Sequence, residues 1–130
     1  MKEKGQSLIE MVIALAVTLV AIVALVQVSV TAIRNANFAK NQTLATNYAQ
    51  AVVEKVRAYR DENDWSTFVD NCAAQDVIGV GILPPSLGAM ELGCTCLDTP
   101  ANCEVRVQVS WTDAQGPHET ELTTYLTEWK

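Results

Sequence analysis

Between Ser7 and Asn63 the chain has neither glycine nor proline. Nothing in that stretch carries a helix-breaking signal. Between Glu10 and Arg34 there is no charged residue at all, which excludes a solvated surface helix for that part. Cations are scarce throughout: nine Lys and Arg stand against fifteen Asp and Glu, for a net charge of -6 over 130 residues. That balance argues against nucleic-acid binding, which needs clustered Lys and Arg to neutralise phosphates. Histidine occurs once, as His118; there is no His-Glu metal motif and no glycine-rich phosphate loop. The length leaves room for one small domain beyond the uncharged run.

The uncharged run, residues 11–33, is long enough to cross a bilayer, because about 20 apolar residues rising 1.5 Å each span a core of about 30 Å. Its many β-branched residues, Val12, Ile13, Val17 and Val20 among them, favour strand in water. In lipid a lone segment must satisfy its own backbone, and only a helix does so. Glu10 stands at the head of this helix. A single carboxylate inside a span costs roughly 2.5–3.5 kcal/mol on insertion scales and usually marks a function. A secretory signal would end in a small-residue cleavage site of the Ala-x-Ala kind, but residues 27–32 lead directly into more helical sequence, so the span is expected to be retained.

The opening residues, Lys4-Gly5-Gln6-Ser7-Leu8-Ile9-Glu10, resemble the prepilin leader of type IV pilins and type II secretion pseudopilins: a short basic leader ending in Gly, then Glu as the fifth mature residue, then an uninterrupted apolar helix. The resemblance implies cleavage by prepilin peptidase between Gly5 and Gln6, N-methylation at Gln6, and an assembly role for Glu10. Two positions depart from the family pattern. Gln6 stands where Phe is common, and Gln27 lies about where many pilins carry Pro. The fold implied is α+β and pilin-like, a long N-terminal helix packed on a small antiparallel sheet. The chain then divides into a leader (1–5), a membrane or filament-core half of the helix (6–33), an amphipathic half (34–63) and a small disulfide-stapled β domain (64–130).

The residues beyond the span agree with that plan. A helix of about 55 residues would be roughly 80 Å long. In its second half Leu44, Tyr48, Val52, Val56 and Tyr59 recur every three or four residues and make one apolar stripe, while Ala36, Ala39, Ala45, Ala49 and Ala51 permit close approach of neighbours. The helix is expected to end between Arg60 and Trp65, with Trp65 and Phe68 folding back on it. Residues 77–83 are a possible short strand, weakened by Gly79 and Gly81, followed by Pro84-Pro85 and a loop through Gly93. From 103 to 111, Val105, Val107, Val109 and Trp111 alternate with Glu104, Arg106, Gln108 and Ser110, which predicts a half-buried strand. Residues 112–118 have turn composition, and Thr120, Leu122, Thr124 and Leu126 alternate after them. These two strands form an antiparallel hairpin whose apolar side covers the helix stripe.

All four cysteines, Cys72, Cys94, Cys96 and Cys103, fall beyond the span, on the side where disulfides persist and where a small domain most needs them. Four cysteines allow three pairings; one of these joins Cys94 to Cys96 in a very tight ring. Cys72 with Cys94 and Cys96 with Cys103 is the pairing expected. Zinc sites favour Cys-x-x-Cys pairs or His partners, and Cys94-Thr95-Cys96 is one residue too short. The acids Asp61, Glu62, Asp64, Asp70 and Asp76 do not follow the alternation of an EF-hand loop and are expected to form a solvated rim. No cofactor is expected. His118 has no second histidine and no evident acid at a fixed geometry, so no catalytic pair can be assembled.

The expected function is structural: a subunit, minor in type, of a type IV pilus or pseudopilus. It would be held in the inner membrane by one span, with its C-terminal domain exported. The partners implied are prepilin peptidase and other pilin or pseudopilin subunits. Lys2 and Lys4 before the span suit a cytoplasmic amino end. The competing class is a membrane-anchored binding module that forms no filament.

Overall fold

The computed structural model describes residues 3–74, 78–79, 81, 83–98 and 101–128. Five elements follow one another: helix α1 (Glu3–Glu62), a short helix α2 (Trp65–Asn71), and strands β1 (Ala89–Asp98), β2 (Ala101–Asp113) and β3 (Gly116–Thr127). The chain is α+β, a long N-terminal helix with a small antiparallel sheet in the order β1-β2-β3. It comprises two compact units, Met1–Asn37 and Phe38–Lys130. The first is the leading part of α1; the second holds the rest of α1 with α2 and the sheet.

Among the described residues of the first unit the apolar side chains are exposed. Large hydrophobic residues from Leu8 to Ile33 are exposed by between 38% (Val30) and 75% (Met11). The polar hydroxyls of this segment turn back on the helix. Thr18 donates to the Ala14 carbonyl at 2.8 Å, Ser29 to Leu25 at 3.0 Å and Thr31 to Gln27 at 3.0 Å. Each is thereby satisfied without a neighbour or water, as a lipid surrounding would require.

The second unit is built round the amphipathic stripe. Ala45, Ala49, Val52, Val53 and Val56 of α1 are buried with Phe68, Leu92, Val105, Val107, Val109, Trp111 and Leu126 in one core. Leu44, Tyr48 and Tyr59 pack partly buried against this core. Ala45 and Ala49 have no exposed surface, so there is no room there for a longer side chain. Ala49→Leu is expected to destabilise this unit by about 1–3 kcal/mol through overpacking. Thermal unfolding in detergent checks this, at about 4–8 °C of melting temperature per kcal/mol.

The β2–β3 hairpin forms with the expected inward face. Val105 lies opposite Thr124, Val107 opposite Leu122, and Val109 opposite Thr120. Its turn is tighter than the composition of residues 112–118 indicates. Asp113 still pairs with Gly116, and Pro117 lies within β3 opposite Thr112. An edge strand tolerates a residue without an N–H, and β3 is an edge strand. Gly116, at φ 126°, takes a backbone conformation closed to most residues.

The segment through Gly93, expected as loop, is in part a strand. β1 pairs with β2 from Ala89 opposite Ser110 to Asp98 opposite Ala101. Met90, Leu92, Cys94 and Cys96 point to the core side, where Leu92 is buried and the other three are half-buried. Of the short strand considered for residues 77–83, Ile78, Gly79, Gly81 and Leu83 are not strand, and the other three residues lie outside the described residues. Trp65 and Phe68 do fold back, on the separate helix α2, with ring centroids 5.4 Å apart and Phe68 fully buried.

Candidate assembly segment and its supports

Glu10 lies on α1 with its side chain exposed among exposed apolar residues. No ion pair to it is present among the described residues. Gly5 and Gln6 belong to the first turns of the same helix. The backbone nitrogen of Gln6 is therefore four residues, about 6 Å along the axis, from Glu10.

Two disulfides staple the second unit. Cys72, which caps the C-terminus of α2, is joined to Cys94 of β1 across 22 residues of chain, and Cys96 to Cys103 across seven. Cys96 and Cys103 are register partners on neighbouring strands, with Cα atoms 4.0 Å apart. Further anchors hold what the disulfides leave. Lys55 Nζ donates to the Gly79 carbonyl, and Arg57 donates to Thr124 Oγ1 at 3.3 Å.

Three of the acids considered as a rim have local duties or solvent. Asp61 accepts from Arg60 at 2.7 Å, Asp64 accepts from the Ser66 and Thr67 hydroxyls at 2.9 and 3.0 Å, and Asp70 is exposed. Asp76 lies outside the described residues.

The hairpin supplies His118 with an acid that spacing alone did not reveal. His118 Nε2 lies 3.0 Å from Asp113 Oδ1, and its ring packs 4.9 Å from Phe38 and 5.6 Å from Trp111 between ring centroids. The signal was present as an acid and a histidine on either side of a tight turn. The same Asp113 oxygen accepts the Gln115 backbone N–H at 2.7 Å. That amide first, and His118 after it, hold the Asp113 carboxyl below its usual range; the hydroxyls of Ser66 and Thr67 do the same for Asp64. A carboxyl with a lowered native pKa contributes stability above its unfolded value of about 3.9 and loses it as pH falls through the native value. Asp113→Asn is accordingly expected to unfold at lower urea than the parent at about pH 5, and to lose less on going to about pH 3. Urea titrations at the two pH values check both halves of that statement.

No curated protein and no solved structure matches the chain. Residues 1–26 match the family described as the prokaryotic N-terminal methylation motif. That stretch contains Gly5, Gln6 and Glu10 and reaches into the exposed apolar part of α1. The first fifth of the chain therefore carries the N-terminal methylation motif, the signature of type IV pilins and pseudopilins.

Proposed function

We propose that the chain is a structural, non-catalytic subunit, minor in type, of a type IV pilus or pseudopilus. It waits in the inner membrane, is cut by prepilin peptidase between Gly5 and Gln6, and enters a filament by packing its helix against those of sister subunits. The observation that carries this proposal is one carboxylate, Glu10, within the matched motif at the head of the uncharged and exposed run 11–33 of α1.

Cleavage creates a charged amine at Gln6, and methylation there keeps the charge. Within one subunit that amine and Glu10 face a solvated or interfacial setting, where pairs along a helix contribute only about 0.3–0.5 kcal/mol. Between subunits, in a dry helix bundle, an unpaired carboxylate is strongly penalised and a paired one fixes the register. The driving force then lies in matching Glu10 of an incoming subunit with its neighbour's amine. The small disulfide-stapled domain supports the minor assignment.

The experiment is the intact mass and amino-terminal sequence of the protein extracted from membranes, with and without an active prepilin peptidase. A chain beginning at Gln6 only with the peptidase, heavier by a methyl group where methylation follows, is the expected result. A chain beginning at Met1 in both would sink the filament mechanism and make a membrane-anchored binding module the leading account.

A further inference from the structure

The four cysteines are two bonded pairs in the chain but one cluster in space. All four Sγ atoms lie within 4.8 Å of one another, and the unbonded Cys94 and Cys96 sulfurs are 3.8 Å apart. A tetrahedral zinc thiolate site with bonds of about 2.3 Å has its sulfurs about 3.8 Å apart. Three elements converge to supply the donors: Cys72 at the end of α2, Cys94 and Cys96 on β1, and Cys103 on β2.

The short Cys-x-Cys spacing counts against zinc only if the two residues lie in a turn. In a strand, alternate residues share a face. Cys94 and Cys96 occupy such positions, and their register partners are Val105 and Cys103 of the buried row of β2. Cys72 and Cys103 are buried and Cys94 and Cys96 half-buried, so two donors are shielded while water still reaches the other two.

We propose that, once both disulfides are reduced, the four thiolates form a closed structural site for a single divalent cation of the zinc class. Each disulfide takes two electrons and two protons from a dithiol, which leaves as its own disulfide. The cation then displaces the four thiol protons. With four protein ligands no coordination position stays open, so the site is structural. The same three elements, α2, β1 and β2, would be joined in either oxidation state.

The test uses the full chain in detergent, reduced under anaerobic conditions, freed of reductant and titrated with cobalt(II). Uptake of a single cobalt ion per chain, with intense thiolate-to-cobalt charge transfer and the visible bands of a tetrahedral ion, is expected. Zinc should bleach both and slow thiol alkylation by at least about tenfold. Cys96→Ser should lower the charge-transfer intensity towards that of three thiolates. Weak octahedral bands, uptake without saturation, or the same absorption from the oxidised chain would overturn the proposal. Where reduction alone unfolds the second unit, recovery of strand circular dichroism on adding zinc supports it, and failure to recover counts against it.

Discussion

Glu10→Leu is expected to leave the protein in the membrane, at an amount equal to or above the parent, while removing it from sheared filaments by a factor of about a hundred or more. The two halves have opposite physical signs. In the bilayer the substitution deletes a carboxylate that costs roughly 2.5–3.5 kcal/mol in a span. In a filament it strands the neighbour's amine, and removal of one partner of a buried pair costs about 3–5 kcal/mol, with every 1.4 kcal/mol a factor of ten. Glu10→Asp keeps the charge on a shorter stem and should fall between. Quantifying the protein in membrane and filament fractions separates the two candidate functions. A plain anchor gains from Glu10→Leu, and unchanged incorporation into filaments would leave Glu10 without the role proposed.

Removing the Cys72–Cys94 staple, with both residues changed to Ser, should cost the second unit about 3 kcal/mol, and removing Cys96–Cys103 about 2 kcal/mol, from the loop entropies of 22 and seven residues. Against a total of about 5–15 kcal/mol for a small domain, the first is a large loss. The order has a structural reason as well. Cys96 and Cys103 are already opposed by the register of β1 on β2, whereas Cys72 caps the C-terminus of a seven-residue helix that no strand ladder holds. Paired substitutions matter, because Cys72→Ser alone leaves a Cys94 thiol 3.8 Å from the Cys96 sulfur, within reach of exchange. Chemical unfolding of the two double variants decides the ranking; equal losses would show that α2 is held chiefly by the packing of Phe68.

The parts legible in the sequence were those with a strong period or a clear absence. α1 follows from more than fifty residues without glycine or proline, and the β2–β3 hairpin from Val105, Val107, Val109 and Trp111 alternating against charged and polar residues. β1 was obscured. Its alternation runs through Met90, Leu92, Cys94 and Cys96, but Gly93 interrupts it, and cysteine is ambiguous between core residue and staple. Its pairing with β2 and its disulfides hold it, and neither is a local signal. The segment of Glu10 was legible because charge is so costly in lipid that a single carboxylate stands out, and the match over residues 1–26 concerns the same stretch. The His118–Asp113 contact was not, since it depends on a two-residue turn that composition had placed across seven residues.

The hydroxyls of Thr18, Ser29 and Thr31 bear on the assembly proposed as well as on a lipid surrounding. Each is bonded to a carbonyl of its own helix, so exchanging lipid neighbours for protein neighbours breaks none of these bonds. At these three positions a lipid and a protein surrounding would be nearly interchangeable. In the filament proposed, these hydroxyls would add no preference for either surrounding, and the preference would rest on the one ionisable residue, Glu10.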